Sequence, residues 1–529
     1  IEDVCDVVIL DAYQENYTED ELEIEIRKAN PDVVGITVLM DQYGKVGHMT
    51  AEITKKVSND ILTVMGGVYA TVNPESVVKD TNIDYVMIGE AEYSFRDLIH
   101  YLMGNDDIQI TNGIAYIDDG VVVNKGHSDL IKDLDELPRP AYHLIDFLSY
   151  ANNSSERKTV DMPPAFPYAR IVTSRGCPFK CSYCEWGGGT GTKVLKKPMD
   201  VIEDEMLFIG QFKGVHIDLC DANTGMFKDR DREMMMHMVK NGVQIGENLS
   251  VLKTLKLEQK KEMLDFMIEH DITRQVISIS LQSISEEARR IANRRDLTEE
   301  ETYELVDHLT NKWNNFKDKE LWLDLELILG MPGSTLEDFY EEFRVYYRIG
   351  LNVWDDSRYP YMVLPATEAA SVEYKEKYKI KTSKVLTQFD GNYSGKWDDV
   401  EVNQIYGNVT YEYDTIVECF SYTFEEYLEM FMMNLFTPHI GLSFINEYTT
   451  YENVSEVSKE LWNILNDIPI FFVYKELIRN IFSDNVPHSM DKFDVGSFSG
   501  KGIIDEMKDL LDTNEKLIRR RLDEFCGNL

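Results

Sequence analysis

Two stretches of the chain alternate short β-branched runs with helical stretches, and nothing else in the sequence restricts the fold as much. In the first hundred residues, 7–10, 33–38, 62–65 and 85–88 read as strands, with helices over 20–28, 46–57 and 94–103. Such alternation predicts a parallel sheet with helices on its faces, a doubly wound Rossmann-like α/β unit. Residues 114–117 and 121–123 flank Asp118-Asp119-Gly120 and read as a hairpin. A second series starts near Arg170, with strands at 171–173, 215–219, 276–281, 323–329 and 361–364 and helices such as 257–270 and 336–347. It predicts a closed or partly closed (β/α)6 barrel of the TIM type, whose sites sit at the C-terminal strand ends. From 381 the alternation stops, and 424–436, 454–465 and 503–525 read as helices. The expected division is a Rossmann-like unit at 1–127, an exposed linker at 128–168, a barrel at 169–380 and a mostly helical domain at 381–529.

A length of 529 residues agrees with about three domains. The formal net charge of −40 repels phosphate backbones, which argues against a nucleic-acid partner. The Arg519-Arg520-Arg521 run reads as a solvated helix face. No apolar run approaches the roughly 18 residues of a membrane span. No charged-then-apolar leader opens the sequence, so a cytoplasmic location is expected. Of the seven cysteines, three fall within eight residues, while Cys5, Cys220, Cys419 and Cys526 stand alone. In a reducing compartment a tight group of this kind points to a metal or redox site.

That group lies in Thr173-Ser174-Arg175-Gly176-Cys177-Pro178-Phe179-Lys180-Cys181-Ser182-Tyr183-Cys184, spaced C-x3-C-x2-C just after the first strand of the second series. Three thiolates can hold three corners of an iron–sulfur cubane and leave the fourth iron free for a substrate. Two readings compete: structural zinc, which needs a fourth ligand from a distant residue, and three unrelated buried cysteines, which a loop holding Gly176 and Pro178 disfavours.

Over residues 169–381 the sequence resembles the radical S-adenosylmethionine superfamily, with Tyr183 as the aromatic residue of its C-x3-C-x-aromatic-C signature. The resemblance implies a [4Fe–4S] cluster on Cys177, Cys181 and Cys184 whose open iron binds S-adenosylmethionine. Reductive cleavage then yields a 5′-deoxyadenosyl radical, with electrons from a donor such as flavodoxin or ferredoxin. It further implies that Asp221 and Asn223, at the second strand's end, face the amino group of S-adenosylmethionine, although the family's usual Gly-Gly-Glu is missing there. Ser280 and Gln282 would contact ribose or carboxylate. Arg294 or Arg295 would pair with the carboxylate, since guanidinium matches it bidentately. Glu326 precedes Gly330-Met331-Pro332-Gly333-Ser334-Thr335, which also resembles the family, although a turn and helix cap suffice to explain Gly333 and Ser334.

Other features carry less. The glycines of Trp186-Gly187-Gly188-Gly189-Thr190-Gly191 let backbone approach a ligand, or simply relax a loop. Met234, Met235, Met236 and Met238 read as core filling. Cys220 reads as a buried, inert thiol. His439 reads as a structural histidine.

The first domain resembles the cobalamin-binding domain that precedes the barrel in one large class of radical enzymes. Thr37 and Leu39 match an S-x-L element with Thr in place of Ser. Gly66, Gly67 and Tyr69 match the glycine turn beside the nucleotide tail, and Gly89 and Glu90 match a G-E-x-E ending. The D-x-H-x-x-G pattern of other cobalamin proteins is replaced by Asp11-Ala12-Tyr13-Gln14-Glu15-Asn16, so cobalamin is expected to bind without a protein histidine on cobalt. The resemblance also implies a strand and helix ahead of residue 7, which this sequence does not include.

Together the two resemblances imply a cobalamin-dependent radical enzyme that methylates an unactivated carbon of a small molecule or peptide. Three alternatives stay open: a rearrangement or cyclisation with both cofactors, a radical enzyme whose cobalamin domain is vestigial, and a non-enzymatic metal-binding protein. The acidic surface disfavours a polyanionic substrate.

Overall fold

The structure is a computed structural model, and it describes residues 1–12, 15, 17–39, 43–105, 107–147, 168–186, 193–246, 252, 255–273, 276–295, 297–316, 321–350, 358–388, 410–436, 447–483 and 501–527. The N-terminal unit comprises α1 (Glu19–Ala29), β1 (Val33–Thr37), α2 (Gly44–Val57), β2 (Leu62–Gly66), α3 (Val68–Val72), α4 (Pro74–Val77), β3 (Tyr85–Met87), α5 (Glu92–Leu102), β4 (Ile114–Asp118) and β5 (Val121–Asn124). Its strands form one sheet in the order β1-β2-β3-β4-β5. The first three run parallel and the last two form the expected antiparallel hairpin. Thr18 starts α1 through a capping box with Glu21, a side-chain exchange that satisfies otherwise orphaned N–H groups.

One expected strand is missing. Residues 7–10 join no ladder, and Val8, Ile9 and Leu10 are exposed. β-branched residues favour a pleated, half-buried surface and do not make a strand without a partner. Among the described residues, the outer edge of β1 likewise pairs with nothing.

The expected linker is not simply an exposed connection. Tyr142 and Phe147 pack on Phe208 and Phe212, with Tyr142 stacked on Phe208 at 4.7 Å between ring centroids.

The second unit comprises β6 (Tyr168–Ile171), β7 (Ser174–Arg175), β8 (Leu195–Lys196), α6 (Met199–Ile209), β9 (His216–Leu219), α7 (Lys228–Asn241), β10 (Gln244–Ile245), α8 (Leu257–Glu269), β11 (Val276–Gln282), α9 (Glu286–Ile291), α10 (Glu299–Phe316), β12 (Trp322–Leu329), α11 (Leu336–Arg348) and β13 (Arg358–Pro360). Six parallel strands form two arcs, β6-β9-β10 and β11-β12-β13, joined by a bridge between Ile245 and Thr273. This is the open (β/α)6 arrangement. Ile171, Ile217, Leu219, Ile279, Leu281, Leu325 and Leu327 fill its core, joined by Met234, Met235 and Met238. Met236 points outward.

Two expectations are corrected here. The closing strand is β13, earlier than 361–364: the ladder ends with the Tyr361 N–H donating to Leu329 O at 3.0 Å, because β12 turns away at Gly330, with φ = +79°. The following β14 (Met362–Val363) joins a different sheet, with β15 (Lys381–Gln388) and β16 (Thr410–Glu418). The C-terminal part therefore opens with long antiparallel strands before its helices. Period-two alternation of Thr, Val, Tyr and Ile marks both strands, but the 21 residues between them hide the hairpin from a local reading. Helices α13 (Phe424–Phe436), α14 (Val454–Asn466), α15 (Pro469–Ser483) and α16 (Lys501–Cys526) follow α12 (Val372–Lys377) and these strands. One core joins Leu329, Met331 and Phe339 of the barrel to Tyr427, Leu461, Phe471 and Leu522 of this region.

Candidate functional site

The cysteine loop leaves the C-terminal end of β6, and a buried polar network fixes its first residues. The Asp221 carboxylate accepts hydrogen bonds from the backbone N–H groups of Thr173 (2.6 Å) and Ser174 (2.9 Å) and from the Thr173 hydroxyl. Arg230 donates to the Thr173 carbonyl at 2.6 Å and to its hydroxyl at 3.1 Å. Asp221 is 1 % exposed. Its oxygens are committed to the loop backbone, which corrects the expectation that it faces a ligand's amino group. Asn223 is buried beside it. Farther along, Ser182 donates its N–H to Ala292 O and accepts from the Ala369 N–H, each at 3.0 Å. Its hydroxyl meets those of Tyr374 (3.0 Å) and Tyr361 (3.5 Å). Tyr183 packs edge-on against Tyr361.

The loop thus carries three half-buried thiols between fixed ends. Burial pushes the Cys177 and Cys184 thiols up, with the neighbouring thiols raising them further, while Arg294 pulls down on both. An Arg294 guanidinium nitrogen lies 4.0 Å from Cys181 Sγ. Arg295 is exposed, so the structure brings one of the two candidate arginines to the thiols. Among the described residues, no three His, Cys, Asp or Glu side chains converge closely enough to clasp a single metal ion. Three cysteine thiols on one short loop are the donor set that iron–sulfur clusters take. Three thiols, a shaped loop and an adjacent fixed cation therefore fit a [4Fe–4S] cluster.

Three other predicted residues meet across β11 and β12. Ser280 donates its hydroxyl to Glu326 Oε2, and Gln282 donates to the same oxygen at 3.4 Å. The ladder slips between Ser280 and Gln282, and Gln282 has φ = +64°. A bulge of this kind re-aims a side chain at a strand end. The glycine-proline turn that follows is a helix start, but the cap is Thr335 with Asp338, not Ser334. Ser334 instead bonds Ser283. Cys220 is raised to about 11 by burial and by Asp218, so its thiol is inert at neutral pH. Residues 187–192, with the glycine-rich run, and His439 lie outside the described residues.

In the N-terminal unit, Thr37 pairs with Gly66 at the C-terminal ends of the parallel strands, the edge at which doubly wound sheets have their binding crevice. Gly67 has φ = +91°, and a Cβ there would sit 2.3 Å from the Val38 carbonyl oxygen. Only a glycine fits so close to Val38, and at the same strand ends Thr37 is exposed and Leu39 is 63 % exposed. Tyr69 bonds His48 Nε2 at 3.1 Å, and His48 Nδ1 lies 2.6 Å from Asp80. Gly89 donates its N–H to Thr71 Oγ1 at 3.0 Å. Small residues at a crevice over parallel strand ends fit a long cofactor tail.

Glu90 is spoken for in a different way than expected. One carboxylate oxygen accepts from the Ile131 N–H at 2.7 Å. The other lies 3.4 Å from Arg175, whose second terminal nitrogen is 2.6 Å from Glu92. Sequence reasoning also missed Thr173, Arg230 and Ser182. Their roles depend on partners dozens of residues away, which no local pattern marks.

Comparison with known proteins agrees with this geometry. Residues 2–99 match the B12 binding domain and residues 171–345 match the radical SAM superfamily. The chain thus carries a B12 binding domain ahead of a radical SAM domain. It is 28% identical over 243 residues to an uncharacterized methyltransferase of Pyrococcus horikoshii, covering 46% of this chain and 50% of that protein. It is 25% identical over 347 residues to the anaerobic magnesium-protoporphyrin IX monomethyl ester cyclase of Rubrivivax gelatinosus, covering 64% and 58%. The chain thus spans about half the length of the curated relatives it matches. In fold it resembles the cobalamin-dependent S-adenosylmethionine radical enzyme OxsB, solved with aqua-cobalamin and S-adenosylmethionine bound: the TM-score is 0.56 at 16% identity, over 97% of this chain and 75% of that one. No described helix is long and apolar enough to cross a membrane.

Proposed function

We propose that this protein is a cobalamin-dependent radical S-adenosylmethionine enzyme that methylates an unactivated carbon of a small molecule or peptide. The observation that carries the reading is the loop of Cys177, Cys181 and Cys184, with Arg294 beside it and Arg175 tying it directly to Glu90 and Glu92 of the B12 domain. When bound, cluster and S-adenosylmethionine supply a 5′-deoxyadenosyl radical, and cobalamin supplies the methyl group. The protein's own part is positional. Asp221 and Arg230 hold the loop, Arg294 sets a positive charge beside the thiols, and Ser280, Gln282 and Glu326 offer a polar ledge for the ribose or carboxylate of S-adenosylmethionine. Thr37, Leu39, Gly66, Gly67, Tyr69 and Gly89 border the crevice for the cobalamin tail. An external flavodoxin or ferredoxin supplies the electron.

A second reading, cyclisation without methyl transfer, is favoured by the likeness to the ester cyclase. Product mass separates them, because methylation adds one methylene. The primary test is anaerobic reconstitution with iron, sulfide and hydroxocobalamin, followed by reduction with S-adenosylmethionine. The expected results are retained corrin absorbance and formation of 5′-deoxyadenosine, abolished by Cys181→Ala. Cleavage surviving that substitution, or a protein that never retains corrin, refutes the proposal.

A further inference from the structure

Among the described residues, the two units meet at an ionic junction of Arg175 with Glu90 and Glu92, and its position is informative. Gly89 is linked by hydrogen bond to Thr71, one turn beyond the Gly66-Gly67 turn. The next residue, Glu90, is nearly buried, with 10 % side-chain exposure, and is pinned by the Ile131 N–H. Glu92 opens helix α5. Both carboxylates therefore project from the rigid rim of the crevice. Arg175 faces them, 29 % exposed, at 3.4 and 2.6 Å. Its backbone is just as constrained, since β7 pairs with β8 at Arg175–Leu195. The preceding Ser174 is held by Asp221, and Cys177 lies only two residues ahead. A charge-assisted contact between two fixed backbones transmits position, where a contact between two long, mobile side chains would not.

We infer that Glu90 and Glu92 are positioning residues that act through Arg175 to fix the cysteine loop against the crevice rim, and so set the separation between cobalt and cluster. This rests on the functional reading above. A transfer reaction relayed between two centres depends on such a fixed spacing, because reacting groups must be held near attack distance.

The test uses the full-length protein loaded with both cofactors, with cobalt as Co(II) and the cluster reduced, so that both centres carry an unpaired electron. Pulsed electron paramagnetic resonance then reads their separation directly, without turnover. The unsubstituted protein is expected to give one narrow distance distribution. Arg175→Ala should broaden it several-fold, and Arg175→Lys, which keeps the charge but reaches one carboxylate at a time, should fall between. Glu92→Gln, remote from the cysteines and partly exposed, should broaden it as well, and it serves in place of Arg175→Ala if that variant fails to load a cluster. A distribution unchanged by Arg175→Ala, or by Glu92→Gln where that variant serves, overturns the inference while leaving the functional reading intact. Absence of corrin or cluster signal from the unsubstituted protein overturns both.

Discussion

Replacing Asp221 distinguishes a residue that shapes the loop from one that holds a ligand. In Asp221→Asn, the two backbone N–H groups of Thr173 and Ser174 keep an oxygen to bond, but a neutral one. Bonds to a charged group contribute about 1.5–3 kcal/mol and neutral ones about 0.5–1.5, so each backbone bond loses about 1 kcal/mol. The Thr173 hydroxyl, which also accepts from Arg230, meets an amide NH2 where it had a carboxylate oxygen. That lost bond costs another 1–2 kcal/mol or so, giving about 3–4 kcal/mol in all. Asp221→Ala, which strands both N–H groups in a buried site, should cost about 3–5 kcal/mol. Denaturant unfolding of the cluster-free protein measures this in the transition of the barrel. Titration of the cluster-loaded protein with S-adenosylmethionine supplies the control, with affinity reduced only in proportion to the fraction unfolded. An Asp221→Asn protein that unfolds like the parent yet no longer binds S-adenosylmethionine would refute the reasoning and return the carboxylate to the ligand.

Burial lifts Glu342 to about 8 from an ordinary value of 4.5, partly offset by Arg358. The folded state therefore holds an extra proton between those values, and stability falls as pH rises through that window. Glu342→Gln should flatten the fall, as read by thermal unfolding at pH 6 and pH 8; a parallel pH dependence in both proteins contradicts the assignment. Cys220, with its thiol near 11, should have roughly one thiolate per thousand at pH 8 and resist iodoacetamide. Mass spectrometry of the labelled peptide checks this, and labelling as fast as a free thiol would count against it. Gly333→Ala forces a Cβ to within 2.9 Å of the Ala288 backbone nitrogen at φ = +98°, and should destabilise the barrel by about 1–3 kcal/mol. An unfolding midpoint unmoved by that change would show that the turn relaxes.

Local signals carried most of the architecture. Period and punctuation located β2, α1, α8, α11 and α13 within about two residues, because each buries one face on its own hydrophobic pattern. Residues 7–10 fooled the same logic, since a strand depends on a neighbour that no local pattern shows. The β15–β16 hairpin was missed for a related reason: its partners are far apart in the chain. In the site, the C-x3-C-x2-C spacing was legible because it is local, and the structure keeps the three thiols half-buried on one loop. Ser280, Gln282 and Glu326 were legible as strand-end positions, and the structure brings them to one carboxylate oxygen. Asp221 was misread because a polar strand-end residue looks the same whether it turns to a ligand or back to its own loop. The ionic junction at Glu90, Glu92 and Arg175 spans 85 residues and left no trace in spacing.

The ties around Ser182 bear on how this protein is made. The hydroxyl partner Tyr374 is 192 residues downstream of Ser182, and the shared core reaches Leu522. At about 5–20 residues per second, translation leaves the three cysteines waiting roughly 10–40 s before Tyr374 even exists. During that interval Asp221 and Arg230 are available to hold the start of the loop, while its Ser182 end still lacks the Tyr374 hydroxyl. The far side of the loop therefore gains its ties only after residue 374 has been made, and a chain cut ahead of that residue should lack them.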